Sequence, residues 1–456
     1  MTLEKILLVI VICLSGTAGQ IIKVNDSNVG PDWRRDFILN NTNISLESLV
    51  VILEDDTPFM QELFDLFVDE EEEKETLQSI WPPGIFNWKA NSEGWPEVLY
   101  RFYNDSIIKP GILRAIAHWE EHTCVKFRDV GTGGAYPHVV FQWSANYCSS
   151  NVGRKPISFS GQAVQLTTGC LLDVGVVIHE IGHALGLWHQ QTRHDREYNV
   201  KVIFGNMAFS NIFNNFPLIT ENYGVPYDYT SIMHYDTLGF STGNSVLVTR
   251  NVMAQGLIGN RKGLSHMDKK IVNIQYGCID KWLEACSQSS DPCLNFGYFG
   301  SDCKCVCPDG TTGERCQVKE MDYTDAMIAE RLPHNSDVTT AGTVSTPNYP
   351  TPLNEGGRYT TRITAPAGKK VSLKFNAFDL ADRCSRTGGN ICCLDGLEIR
   401  LNGLTSGTWY CGKEIAAGTE FTSAGNELVL YFSGLNYTDY SFMTEHTGYS
   451  AEVTFV

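Results

Sequence analysis

A compact α+β domain, then a small disulfide-rich module, then an all-β sandwich: this is the architecture the sequence predicts, and three observations carry it. Short alternating runs at 98–102 and 139–143 precede one long apolar run at 174–187, which reads as a buried helix. Six cysteines crowd into residues 286–316. The last 120 or so residues return to strand-like alternation with few helix signals.

The elements follow in chain order. Residues 1–19 read as a signal peptide, with Lys5 as the positive n-region and Ile6 to Leu14 as an apolar stretch. Thr17 and Gly19 are small residues suited to cleavage before Gln20. A membrane span needs about 20 apolar residues, and this run is far shorter. Export agrees with the cysteine count: of 15, removing Cys13 with the leader leaves 14, an even number compatible with full pairing. Sequons at Asn25, Asn40, Asn43, Asn104 and Asn436 permit glycosylation.

Residues 20–89 hold no cysteine and end in an acidic run from Asp69 to Glu75, broken only by Lys74. They carry 15 acidic against 5 basic residues, more than half of the net charge of −17. This position and composition suggest a removable pro-segment. The overall negative charge argues against a nucleic-acid binder, which needs a basic face.

Residues 90–280 form the α+β unit. Val98-Leu-Tyr-Arg-Phe102 and Val139-Val-Phe-Gln-Trp143 alternate as strands, and Ile112 to His122 carries helical spacing. Val174 to Leu187 reads as a helix that Gly186 ends with a left-handed cap. Residues 281–317 are the disulfide module, with Cys286, Cys293, Cys303, Cys305, Cys307 and Cys316; six cysteines allow 15 pairings. Residues 318–335 are hydrophilic and read as a linker. Residues 336–456 form the sandwich, with strands at Val371–Phe375, Leu397–Leu401 and Leu428–Phe432.

The chemistry sits in His179-Glu-Ile-Gly-His183-Ala-Leu-Gly186-Leu-Trp-His189. On a helix, residues four apart share a face, so His179 and His183 can share one metal ion. Gly186 tolerates positive φ and lets the chain turn, bringing His189 back as a third ligand. Three imidazoles leave an open position for water, which suits a hydrolytic zinc site. A lone histidine on a helix is most often a packing residue, whereas three at this spacing with an adjacent carboxylate are specific. Zinc can lower the pKa of a bound water to about 7. Glu180 would then accept the proton and pass it to the leaving amine, giving hydrolysis of internal peptide bonds.

This motif, with Ser231-Ile-Met233-His-Tyr235, resembles the metzincins and, among them, the astacin family. The resemblance covers about 90–278 and implies a two-lobed protease domain holding one Zn2+. It implies Met233 as the floor of a Met-turn beneath the imidazoles. It places Tyr235 where astacins carry a switchable fifth ligand that stabilises the oxyanion. Thr123-Cys124-Val-Lys-Phe127 and Cys148-Ser-Ser-Asn-Val-Gly-Arg154 resemble the family's cysteine segments, which implies Cys124–Cys278 and Cys148–Cys170 disulfides. A loop of over 150 residues closed by the first would stabilise by about 4–5 kcal/mol in the chain-entropy model.

Two positions depart from the family. Gln190 stands where astacins usually have a Glu that holds the mature N-terminus. The pro-segment lacks the Phe-x-Gly-Asp motif of an aspartate switch, Phe67-Val-Asp69 being the nearest fragment. Arg34-Arg35 is dibasic but lies far upstream, and cleavage after Lys89 would release Ala90.

The cysteine module resembles an EGF-like domain. Ser345-Thr-Pro-Asn-Tyr-Pro350, Asp395-Gly-Leu-Glu-Ile-Arg400 and Trp409-Tyr-Cys-Gly412 resemble a CUB domain. Some CUB domains bind Ca2+. Asp395 matches part of that acidic set and reads as a solvated loop carboxylate, so calcium is possible without support here. The protease–EGF–CUB order is similar to that of secreted nematode astacins and implies extracellular protein or peptide substrates, without nucleic acid or a membrane span. A secreted EGF/CUB binding protein with a vestigial protease domain is the alternative, and Gln190 is the main residue on its side.

Overall fold

A computed structural model of the chain describes residues 86–456 apart from 105–106, 132–136, 156–160, 209–221, 352–356, 387–388, 403–406 and 435–445. It also describes three short strands nearer the N-terminus, β1 (Ile10–Cys13), β2 (Ile21–Lys23) and β3 (Leu49–Ile52), paired antiparallel in the order β2-β1-β3. The expected leader cleavage site, the acidic run Asp69 to Glu75, Phe67-Val-Asp69, Arg34-Arg35 and the sequons Asn25, Asn40, Asn43 and Asn436 lie outside the described residues. Asn104 is described and exposed.

The α+β unit is built on a five-stranded sheet in the order β5-β4-β6-β8-β7. Its strands are β4 (Glu97–Phe102), β5 (Lys126–Asp129), β6 (Val139–Trp143), β7 (Ser149–Ser150) and β8 (Gln162–Leu166). The pairs are parallel except at β7, an antiparallel edge strand. In β4 the alternation buries Val98 and Tyr100, as period 2 requires.

Helix α1 (Lys109–His122) starts three residues before the expected Ile112, because Pro110 is preorganised for a first helical turn. It buries Ile112, Ala115, Ile116 and Trp119, one face of a 3.6-residue repeat. The short α2 (Thr168–Leu172) leads into α3 (Val174–Ala184), whose first turn is capped by Asp173 Oδ1 accepting from Gly175 and Val176 N–H. Trp119 Nε1–H donates to Ile178 O at 3.1 Å and ties α1 to α3. Helix α3 stops at Ala184 rather than Leu187: Leu185 is its cap, and Gly186 turns away at φ 104°.

The rest of this unit holds β9 (Val200–Val202) paired with β10 (Leu247–Thr249), then α4 (His266–Gln275) and α5 (Cys278–Ala285). Disulfides join Cys124 to Cys278 and Cys148 to Cys170. Residues 86–88, ahead of the expected start at Ala90, already pack on the unit. Trp88 is 4% exposed, and Arg154 N–H donates to Phe86 O at 2.7 Å while its Nε–H donates to Asn87 O at 2.8 Å. Cleavage after Lys89 would remove this buried indole from the unit.

The cysteine module pairs β11 (Tyr298–Phe299) with β12 (Cys305–Val306) and β13 (Thr311–Thr312) with β14 (Val318–Lys319). Its disulfides are Cys286–Cys303, Cys293–Cys305 and Cys307–Cys316, first to third, second to fourth and fifth to sixth. The expected linker at 318–335 is instead ordered. It contains α6 (Tyr323–Arg331), and Ala326, Met327 and Leu332 are buried, the last two in a cluster with Val200, Tyr227 and Leu257. Two buried residues in the helix and one just past its end suffice to dock a helix whose average composition is polar.

The last unit is a sandwich of two sheets. One has the order β15-β17-β24-β21-β22, made of β15 (Ser336–Val338), β17 (Arg358–Thr364), β24 (Glu427–Gly434), β21 (Asp395–Arg400) and β22 (Thr408–Tyr410). The other has the order β16-β25-β18-β23, made of β16 (Gly342–Ser345), β25 (Gly448–Phe455), β18 (Val371–Asp379) and β23 (Glu420–Thr422). A hairpin, β19 (Cys384–Arg386) and β20 (Gly389–Ile391), carries the Cys384–Cys393 disulfide, and Cys392 pairs with Cys411. Ile363, Leu373, Phe375, Leu397 and Leu430 fill the core between the sheets. Asp395 is not a solvated loop residue. It opens β21, is 1% exposed and accepts from Ala381 N–H. All six residues of β21 are buried, because its second face packs on the α+β unit.

Candidate active site

His179, Glu180 and His183 project from α3, where they are buried near the base of a cleft of about 600 Å3. The turn at Gly186 returns the chain so that His189 joins them. One candidate ligand nitrogen from each of the three imidazoles falls within 4.8 Å of the others. His179 Nδ1 lies 2.8 Å from Ile232 O, and His183 Nδ1 lies 2.7 Å from Leu187 O. A carbonyl can only accept, so both Nδ1 atoms carry the proton and both Nε2 atoms present a lone pair. His183 Nε2 then faces His189 Nε2 at 3.1 Å. That spacing is one that two nitrogen ligands of a single ion can share, and neutral imidazoles are the form that binds zinc. Burial holds His183 down to about 4, and holds His179 and His189 well below the usual imidazole value. The donor set therefore fits a zinc ion.

Glu180 is buried beside them, and its Oε2 has no hydrogen-bond partner among the described residues. Burial alone pushes its carboxyl up to about 8, against the opposing pull of the Arg261 guanidinium, whereas the positive charge of a zinc ion held by the imidazoles would favour the ionised form that accepts a proton. An unpartnered buried carboxylate oxygen in a cleft is a group kept for a ligand or a proton.

Met233 lies under α3, 1% exposed, where a Cβ at Gly182 would come within 2.8 Å of its Sδ. A larger residue at Gly182 would have to displace the Met233 thioether, so glycine suits this close approach of helix and Met-turn. The turn hangs from α4: Asp268 accepts from Ser231 Oγ–H at 2.6 Å and from Ile232 N–H at 2.8 Å. Asp268 also completes a capping box with Ser265 at the start of α4. Tyr235 N–H donates to Gln191 Oε1 at 3.1 Å, and its ring lies 4.4 Å from that of His189. Burial, reinforced by Glu180, raises the Tyr235 phenol, so it remains a hydrogen-bond donor at neutral pH. Gln190 is buried, and its N–H donates to Met233 O at 3.1 Å.

The fold thus brings together His179, Glu180, His183, His189, Met233 and Tyr235. The disulfide Cys148–Cys170 lines the cleft beside the edge strand β7, while Cys124–Cys278 lies away from it, in the core. Several contributors escape a sequence reading. Arg261 lines the cleft and donates through Nη1 to Ile232 O, His234 O and Asn260 O, at 3.0, 3.2 and 2.6 Å. Asp236, Gly239 and Phe240 form another stretch of wall. Asp268 and Gln191 hold the Met-turn from outside the motif. A second group of potential metal donors, His118, Glu121 and His122, lies on α1. There His118 Nε2 already accepts the Leu264 N–H at 3.1 Å, which engages its lone pair.

Residues 87–277 match the family model described as Astacin, a peptidase family, and residues 335–445 match that of the CUB domain. The chain is 30% identical over 390 residues to Blastula protease 10 of Paracentrotus lividus, covering 81% of this chain and 61% of that protein. It is 32% identical over 348 residues to zinc metalloproteinase dpy-31 of Brugia malayi, covering 74% of this chain and 55% of that protein. The chain thus spans little more than half the length of these curated relatives. Among solved structures it is similar to high choriolytic enzyme 1, a hatching enzyme zinc-protease from Oryzias latipes, at 30% identity. That match covers 42% of this chain and 95% of the other, with a TM-score of 0.39.

Proposed function

We propose that this chain, whose residues 87–277 form a domain of the astacin family of peptidases and whose residues 335–445 form a CUB domain, is an exported zinc-dependent endopeptidase of extracellular proteins. The observation that carries the reading is the convergence of three imidazoles, two of them presenting lone-pair Nε2 atoms, beside the unpartnered Oε2 of Glu180, in an open cleft.

His179, His183 and His189 would hold the ion. When bound, zinc supplies Lewis acidity for water activation and carbonyl polarisation. Glu180 takes the proton from the attacking water and delivers it to the leaving amine, with Oε2 as the oxygen free to do so. Tyr235, kept protonated by burial, donates to the carbonyl oxygen as negative charge grows there. The edge strand β7, with Ser149 and Ser150 on the cleft, offers backbone groups to an extended substrate. Arg261 gives one wall a positive charge and favours an acidic side chain beside the scissile bond.

Export is supported by the leader-like N-terminus and by seven disulfides among the described residues. No helix among the described residues is long and apolar enough to cross a membrane. The pairing of the six-cysteine module, first to third, second to fourth and fifth to sixth, supports an EGF-like domain. Gln190, the residue that favoured a vestigial protease, leaves the carbonyl partners of His179 and His183 intact. The test is digestion of casein by the processed protein: a chelator should abolish it and added zinc should restore it, whereas chelator-resistant digestion would refute the reading.

A further inference from the structure

The wall of the cleft beyond Tyr235 is an irregular segment, residues 236–246, and it is clamped from two sides. Asp236, Gly239 and Phe240 face the cleft, and the Phe240 ring lies 5.4 Å from that of Tyr235. On one side the α+β unit holds it: Ala208 N–H donates to Phe240 O, and Thr242 N–H donates to Asn206 O, both at 2.9 Å. On the other side the holder is the CUB domain. Leu238 packs against the apolar core of the sandwich. Trp409 Nε1–H donates to Ser245 Oγ at 2.9 Å, and Trp409 N–H donates to Asn244 Oδ1 at 3.4 Å; Trp409 and Ser245 are both buried.

A second line of contacts runs through charge. Glu398 and Arg400 pair at 2.6 Å with both side chains fully buried. Arg400 Nη2–H also donates to Gln255 Oε1 at 2.9 Å, and Gln255 Nε2–H donates to Thr237 Oγ1 at 2.8 Å. Thr237 is two residues from Tyr235. On β21, Leu397 and Ile399 turn inward to the sandwich core, so alternation aims Glu398 and Arg400 outward. In a free sandwich that outward face would be solvated. Here it is buried against the α+β unit, and a buried ion pair costs less when hydrogen bonds such as the one from Arg400 Nη2–H to Gln255 also engage it. Flanking contacts fix the same register: Thr360 Oγ1–H to Val252 O at 3.1 Å, Arg358 Nη1–H to Ile258 O at 2.6 Å, and Asn335 Nδ2–H to Met253 O at 2.7 Å.

The geometry points to the CUB domain as a fixed support of the cleft wall, in which Trp409 and Arg400 are positioning residues that set the Asp236–Ser245 segment and thereby the fit of substrate residues past the scissile bond. This inference rests on the proteolytic reading for its consequence, but the clamp itself is a property of the fold.

The test uses the full chain with Trp409→Phe, which keeps an aromatic ring but loses the indole N–H and some core volume, and Ser245→Ala, which alters the other partner without touching the sandwich. Hydrogen exchange in residues 236–245 should accelerate about three- to tenfold in each variant and no further in the double variant. Amides of β18 and β25 serve as the internal control and should stay unchanged in Ser245→Ala. Zinc content should hold. KM for a long peptide extending along the wall should rise by a similar factor, with kcat and the KM of a short peptide unchanged. Unchanged exchange in 236–245 in both variants would overturn the clamp. A clamp seen by exchange with an unchanged KM for the long peptide would overturn its role in substrate fit. An inactive wild type would instead strike the proteolytic reading while exchange still decides the clamp.

Discussion

The indole Nε1–H of Trp88 donates to the carbonyl of Ala184 at 2.8 Å, so the start of the packed chain is tied to the last residue of the helix that carries two of the three imidazoles. Residues 86–88 are therefore part of the active-site scaffold. Trp88→Ala should cost about 3–5 kcal/mol, the range for truncating a buried aromatic. Trp88→Phe should cost about 1–3 kcal/mol, by leaving the Ala184 carbonyl unsatisfied. Chemical denaturation of the two variants checks the order. Equal stability of Trp88→Ala and wild type would show that this segment is dispensable and that Ala90 can begin the mature chain.

Glu180→Gln removes the proton carrier and leaves the three imidazoles in place. Zinc content should match that of wild type, while kcat/KM for an internally quenched peptide falls about 10^2–10^4-fold, the usual contribution of a general acid–base. Loss of zinc together with activity would move Glu180 from proton transfer to metal retention.

Arg261 predicts a preference that a mixed peptide library can read. Substrates with Asp or Glu next to the cleaved bond should be favoured over their amides, and Arg261→Leu should lower that ratio about tenfold or more. Because Arg261 also holds Ile232 O and His234 O, cleavage of neutral peptides serves as the reference for damage to the Met-turn. An unchanged acidic-to-amide ratio would mean that the guanidinium is structural only.

His266 provides a pH dependence away from the metal ligands. Its Nε2–H donates to Phe296 O at 2.9 Å and links α4 to the cysteine module. Burial holds it down to about 4, helped by Lys270 and Lys269. Between pH 6.5 and about 4 the unfolded chain binds a proton that the folded chain excludes. Stability therefore falls as pH drops through that window and levels off below it. The contribution is at most ~3 kcal/mol. His266→Gln keeps a donor for Phe296 O without titrating. Its unfolding free energy should fall less steeply from pH 6.5 to 4 than that of wild type, with the remaining slope due to groups such as His122 and His234, which burial also holds down to about 4. Identical slopes would remove His266 from the account.

The three imidazoles and Glu180 are legible in the sequence because eleven consecutive residues carry them, and helix geometry alone aligns the first two. The strands and the sandwich are legible for the same local reason. Arg261 and Asp268 are not, because each acts on the Met-turn across 29 to 37 residues, largely through backbone groups, and no local side-chain pattern records such a contact. Helix α6 hides in a polar stretch because Ala326, Met327 and Leu332 are few and scattered. Glu398 and Arg400 alternate with Leu397 and Ile399 as on any half-exposed strand. Alternation separates two faces but cannot tell whether a second domain covers the polar one.

The most direct test is the metal content of the processed, full-length protein by elemental analysis, beside the His183→Gln variant. One zinc per chain in wild type and a clear loss in the variant is the predicted result, since His183 Nε2 faces His189 Nε2 at 3.1 Å. A correctly folded wild type that contains no zinc and takes none up from solution would contradict the account at its root.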